Sequence, residues 1–208
     1  LIRRSEDIAA LERAIGHEFD DRSLLIQALT HSSAADAVSN ERLEFLGDRV
    51  LGLVIAQAVV SRYPNESEGT LAPRLNGLVR RETLAMVAEQ VNLGAHMKMA
   101  RSESQSGGRR KQGMLADAME AVIAAVFLDA GLQAARDVIL DGWRTHLDAQ
   151  DAAPIDSQTA LQEWAQGRGL PLPTYTTLSR EGPDHKPSFR VEASLSTGEK
   201  AEGTDRSK

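Results

Sequence analysis

Apolar residues recur at helical spacing through the first three quarters of the chain. From Asn40 to Val59 the sequence reads NERLEFLGDRVLGLVIAQAV, and Leu43, Leu46, Val50, Leu53, Val54 and Ala58 follow at mostly three- and four-residue steps, which predicts a helix with one apolar face. Asn40 is the expected N-cap, Glu41 falls in the first turn where the helix dipole favours an anion, and Tyr63-Pro64 ends the helix. Upstream, Ile8, Leu11 and Ile15 predict a helix capped by Ser5 and closed by Gly16. Leu24, Leu25, Ala28 and Leu29 predict another from about 22 to 30, capped by Asp21. Downstream, helices are expected over about 71–79, with Pro73 in the first turn, and over about 82–91. Residues 114–131, MLADAMEAVIAAVFLDAG, are nearly all apolar or small, and a further helix over about 132–147 turns Ala135, Val138, Ile139 and Trp143 inward. HSSAADAVS at 31–39 and SESQSGGRRKQG at 102–113 read as polar loops.

The pattern changes near residue 150. DAQDAAPIDS at 148–157 is polar with one proline and has the composition of a linker. Beyond it a helix is expected over 158–167, then strands over 174–180, 188–195 and about 200–203, with GPDHK at 182–186 and STG at 196–198 as the turns. The chain is therefore mainly α: a helical domain over residues 1–150, a linker over 151–156 and a small α+β domain over 157–208.

Composition narrows the class. With 41% hydrophobic residues the chain can build a real core. It contains no Cys, which excludes disulfides and thiolate metal sites and points to a reducing, cytoplasmic address. The longest apolar run, Val50 to Val60, is broken by Gln57 and too short to span a bilayer, and no signal peptide is visible. The chain opens at Leu1 without Met, so a trimmed sequence is expected. A net charge of −6 argues against a nucleic-acid binder at first sight. Residues 1–153 hold 22 acidic and 17 basic residues and residues 154–208 hold 8 and 7, so any binding to a polyanion must rest on local basic patches.

The acidic residues carry the candidate chemistry. Glu41, Glu44 and Asp48 share one face of the Asn40–Val59 helix, and Asp117 and Glu120 stand at i, i+3 in the middle of an apolar one. An acidic pair at that spacing is usually a solvated face, and for Glu41 that reading stays open beside the functional one. Asp117 and Glu120 fit it poorly, because Ala116, Ala118, Met119, Ala121, Val122 and Ile123 leave no polar face around them. Packed together, the two helices would set Glu44 and Asp48 against Asp117 and Glu120, four carboxylates that cannot all stay ionised without cations. Oxygen-only ligands suit Mg²⁺ or Mn²⁺. Arg49 reads as a counter-ion and His31 as a structural hydrogen-bond partner.

HSS at 31–33, NERLEFLGDRVL at 40–51, EGTLAPRLNGLV at 68–79 and LADAMEAVIAAVFLDAG at 115–131 resemble, in order and spacing, the signature blocks of bacterial ribonuclease III. TALQEWAQ, LPTY, GPDHK and FRVEASL resemble a double-stranded RNA-binding domain. The resemblance implies an all-helical endonuclease domain and a metal-dependent hydrolysis of both strands of duplex RNA. The products would carry 5′-phosphate and 3′-hydroxyl ends, and the role would be processing of ribosomal and other precursor RNAs. Residue by residue it assigns Glu44, Asp48, Asp117 and Glu120 to metal binding and Asp48 and Glu120 to catalysis, with Glu41 and Glu68 assisting near RNA and the dimer contact. In the second domain it assigns Thr159, Gln162 and Glu163 to one minor groove and His185 to the next. Lys208 is what remains of a basic turn that opens a last helix, so the sequence is expected to continue past its end. Arg109, Arg110 and Lys111, directly before the second carboxylate helix, are candidate phosphate contacts. A homodimer is expected, with Phe45 and Leu46 in its contact. The rivals are a non-catalytic RNA-binding protein on the same fold and a metal phosphoesterase of small substrates; the first is disfavoured by the presence of all four acids, the second by the RNA-binding-like tail.

Overall fold

A computed structural model of the protein describes residues 2–34, 38–151, 157–181 and 188–205. They form two compact units, Leu1–Ala152 and Ala153–Lys208. Of the linker expected at 151–156, Asp151 ends a helix; residues 152–156, the GPDHK turn with His185, and Lys208 lie outside the described residues.

In the first unit α1 (Ile2–Ile15) and α2 (Arg22–Ala28) precede the long α3 (Glu41–Arg62), and α4 (Glu68–Val79) and α5 (Arg81–Gln90) follow it. The short α6 (Leu93–His96) and α7 (Arg101–Gln105) lead into α8 (Gln112–Gly142), and α9 (Arg144–Asp151) closes the unit. The centre is α8. From Met114 to Val126 it is apolar nearly all round, and a helix of that kind must be covered on all sides: α2, α3 and α5 each pack on it. It is two helices joined at Gly131, whose φ of 81° and ψ of −176° only glycine adopts without strain, so the break expected after Gly131 is present.

Several boundaries differ from the sequence reading. Helix α1 begins at Ile2, which places Ser5 inside it, not at its cap. Helix α4 begins at Glu68, so Pro73 sits in its second turn; the carbonyl that Pro73 cannot serve belongs to Gly69, which is exposed. Asn40 precedes α3 but makes no side-chain capping bond. The expected 102–113 loop contains α7 and a 3₁₀ turn, Gly108–Arg110. The expected helix over 132–147 is interrupted at Trp143, which is fully buried and donates its indole N–H to the Leu78 carbonyl at 2.8 Å. Asp21 does cap α2, accepting from Ser23 N. Asp129, near the end of the first segment of α8, pairs with His17 at 2.8 Å and accepts from the Asp20 and Asp21 amides, fastening α8 to the α1–α2 connection.

The second unit has α10 (Ser157–Gly167) followed by an antiparallel sheet of β1 (Thr174–Glu181), β2 (Ser188–Ser194) and β3 (Lys200–Asp205), in the order β1-β2-β3. A register shift between Thr177 and Ser179 bends β1. Arg190 pairs with Glu202 and Lys200 with Glu192 diagonally across β2 and β3.

The contact that positions everything else is at Gly47. A Cβ at this position would overlap the carbonyl oxygen of Glu120, so α3 and α8 touch backbone to backbone there. The obstacle is main chain and cannot swing aside. Gly47→Ala should therefore cost at least the 1–3 kcal/mol or so of an overpacked core, read as a lowered melting temperature; an unchanged melt would refute the close crossing.

Candidate active site

Glu44 and Asp48 flank Gly47 by three residues on one side and one on the other, and Glu120 is the residue that Gly47 touches. Closing the two helices at that glycine drives the acids of α3 toward those of α8. Carboxylate oxygens of Glu44, Asp117 and Glu120 all come within 4.8 Å of one another, and all three side chains are half-buried.

The electrostatics follow from that crowding. Burial first, and then the charges of Asp48, Glu44 and Asp117, push Glu120 up to about 7. Burial and the Asp117 and Glu41 charges raise Glu44 as well, and burial raises Asp117. The charge of Arg81, at the start of α5, opposes the rise at all three, and His31 adds to it at Asp117. The acids therefore sit in a pocket that resists their own ionisation.

Asp48 stands apart. It is paired with its neighbour Arg49 and lies outside the three-acid cluster, although its charge reaches both Glu44 and Glu120. Glu41 is exposed and accepts from the Ser39 hydroxyl at 2.9 Å, while its charge reaches Glu44. Glu68 is exposed in the first turn of α4 and outside the cluster. His31 has the structural role expected: its Nδ1 accepts from the Ser33 amide at 3.1 Å and lies 2.9 Å from the Ser33 hydroxyl.

The basic segment before α8 is less free than its sequence implies. Arg109 turns back to the Gly94 and Ala95 carbonyls at 2.8 and 3.0 Å, bracing α6, and Lys111 pairs with Glu103 at 2.6 Å. Arg110 is exposed. On α10, Thr159, Gln162 and Glu163 share a helical face by their spacing, and Gln162 is half-buried; the side chains of Thr159 and Glu163 lie outside the described residues.

Two residues of the site were missed by sequence reasoning. Gly47 had a signal, a residue without a side chain between Glu44 and Asp48 in an otherwise well-filled helix. Arg81 had none: in LVRRETL it reads as a helix boundary, and only the packing of α5 on α8 brings it to the acids.

A family model described as Ribonuclease-III-like matches residues 21–147, and one described as Double-stranded RNA binding motif matches residues 158–208. The chain is similar to proteins named Ribonuclease 3: that of Jannaschia sp. (strain CCS1) is 50% identical over 209 residues, covering 100% of this chain and 92% of that protein. The Caulobacter vibrioides (strain NA1000 / CB15N) protein is 53% identical over 198 residues, covering 93% and 86%. Among solved structures, a nuclease domain of ribonuclease III from Campylobacter jejuni superposes with a TM-score of 0.65 at 39% identity, covering 66% of this chain and 96% of that one. Dicer from Pichia stipitis shares the fold, with a TM-score of 0.52 at 22% identity over 90% of this chain and 87% of that one. With Glu44, Asp117 and Glu120 gathered at a single helix crossing and both domain matches in place, the chain belongs to the ribonuclease III family.

Proposed function

We propose that the chain hydrolyses both strands of double-stranded RNA, leaving 5′-phosphate and 3′-hydroxyl ends, and that it matures ribosomal and other precursor RNAs. The observation that carries this reading is the cluster of Glu44, Asp117 and Glu120 within 4.8 Å, inside a domain matching the ribonuclease III nuclease.

The residues fit a divalent cation. Three half-buried acids with raised pKa values have, among the described residues, no fixed partner that neutralises all of them, and an all-oxygen set suits Mg²⁺, with Mn²⁺ as a substitute. When bound, the metal would offset the charge of the scissile phosphodiester and acidify water beside it. Glu44, Asp117 and Glu120 would hold it, Glu120 releasing the proton that its raised pKa retains near neutrality. Asp48, clear of the cluster but close enough to feel it, would orient water by accepting its hydrogen bond, or act on the departing 3′ oxygen through a second cation. Glu41 and Glu68 assist at lower proximity. In the second unit, the α10 face of Thr159, Gln162 and Glu163 would read 2′-hydroxyls across a minor groove, which separates RNA from DNA; His185, Lys208 and Arg110 would add contacts.

Cutting both strands of one duplex in a single encounter calls for two sites related by a two-fold axis, hence a homodimer. On α3, Phe45 is 70% exposed, and Leu53 and Val60 continue the apolar stripe at helical spacing. The Campylobacter structure is described as flexible in a region involved in dimer formation. Leu46, expected beside Phe45, is half-buried and packs against the core of its own chain. Among the described residues no helix is long and apolar enough to cross a membrane. The lack of Cys supports placing the activity in the cytoplasm.

Single-turnover cleavage of a long RNA duplex should require Mg²⁺. Glu120→Gln and Asp48→Asn should each slow it by orders of magnitude, while gel-shift affinity in Ca²⁺ survives. Wild-type rates from both folded variants would exclude these acids and favour the non-catalytic rival.

The raised pKa values give a signed dependence on pH. An acid whose folded pKa exceeds its unfolded value stabilises the fold at low pH, and that contribution fades as pH rises from about 4.5 through about 7. The metal-free protein should lose more thermal stability across that window than Glu120→Gln does, and Mg²⁺ should remove the difference. Parallel profiles for the two metal-free proteins would contradict the raised pKa. For the dimer, Phe45→Asp should shift sedimentation at micromolar concentration from two chains to one; a monomeric wild type that still cuts both strands in one event would exclude the two-fold reading.

A further inference from the structure

Arg81 is exposed at the first position of α5, and among the described residues it forms no ion pair. Its guanidinium lies over the start of α8, with Nη1 3.9 Å and the central carbon 4.0 Å from where a Cβ of Gly113 would stand. Gly113, Asp117 and Glu120 follow at i, i+4 and i+7, so they share one face of α8. The guanidinium therefore sits over that face about 6 Å, roughly one turn, before Asp117. The charge of Arg81 reaches Glu44, Asp117 and Glu120 alike, yet no carboxylate takes its five donors in an ion pair. A cation at the rim of a cluster suited to cations is unfavourable for metal loading, whereas it favours an anionic ligand entering beside the acids.

We propose that Arg81 is a substrate-binding residue of the nuclease, its guanidinium donating two parallel hydrogen bonds to the non-bridging oxygens of an RNA phosphate at the mouth of the carboxylate cleft. This deepens the duplex-RNA reading above and rests on it. The guanidinium fork matches a phosphate diester in shape and stays charged at every working pH, which a lysine at the same place would match in charge alone. Arg80, its neighbour in sequence, lies 3.9 Å from Glu82 and is not among the charges that reach the acids.

The two roles of Arg81 pull in opposite directions, and that gives the test. Full-length Arg81→Ala, Arg81→Lys and Arg80→Ala would be compared with wild type by Mn²⁺ binding without RNA, followed by electron paramagnetic resonance, and by single-turnover cleavage of a duplex over a range of salt. Arg81→Ala should bind Mn²⁺ at several-fold lower concentration, because a repelling charge is gone. Its kcat/KM should fall roughly tenfold or more, as for loss of a charge-assisted hydrogen-bonded pair, with the salt slope reduced by about one contact. Arg81→Lys should return the Mn²⁺ curve to wild type but recover only part of the rate, and Arg80→Ala should match wild type in both. Wild-type cleavage by Arg81→Ala overturns the proposal. So does joint loss of Mn²⁺ binding and cleavage, which would make Arg81 part of the scaffold. A wild type that does not cleave duplex RNA in Mg²⁺ overturns the nuclease reading itself, a result distinguishable from either.

Discussion

The structure depends on two helix backbones meeting at one point. Helices ordinarily pack with their axes 8–10 Å or so apart, separated by interdigitating side chains. At Gly47 there is no side chain, and α3 comes to rest on the Glu120 carbonyl of α8. Acidic side chains too short to meet across an ordinary helix interface meet across this one. The apolar surfaces around it, Leu43, Val50, Leu51 and Val54 on α3 and Met119, Val122, Ile123 and Val126 on α8, supply the burial that holds the crossing closed. The core thus does mechanical work on the site, pressing together groups that repel.

Burial raises Glu44, Asp117 and Glu120 alike, and repulsion from neighbouring carboxylates adds to the rise at Glu44 and Glu120. Elsewhere the same fold treats acids differently. Glu12, buried where the cluster acids are half-buried, accepts two bonds from Arg22 and one from the Phe19 amide, which hold its carboxyl below the usual range. Asp129 is lowered too, its burial outweighed by bonds from the Asp21 amide, His17 and the Asp20 amide. The chain satisfies these two acids internally and, among the described residues, leaves the three clustered ones short of partners, a departure from local consistency of the kind expected at a functional site.

The sequence made the helical scaffold legible because α8 and α3 carry long, strongly patterned apolar sets, and it made the four acids legible because Asp117 and Glu120 interrupt a stretch with no polar face. It failed where the deciding contact lies far along the chain. Arg109 and Lys111 look like a mobile basic run until α6 offers carbonyls to one and Glu103 offers a carboxylate to the other. Asp48 has the spacing of a fourth ligand, and in the structure it pairs with its neighbour Arg49 outside the three-acid cluster. Leu46 and Phe45 are adjacent and equally apolar, but a rotation of about 100° per residue puts one against the core and the other in solvent.

A chain with net charge −6 that binds a polyanion must solve a problem of its own making. Two like charges about 5 Å apart repel by roughly 3 kcal/mol at an effective dielectric of about 20, so a phosphate entering beside three ionised acids meets a barrier that no distant basic patch removes. A divalent cation in the cluster reverses the sign of the local field, and by linkage the phosphate must then tighten the cation by the same factor. On the proposed reading RNA and metal binding would be cooperative, and the preformed helix crossing at Gly47 would keep the cost of assembling the acids in the folding of the nuclease domain instead of in each turnover.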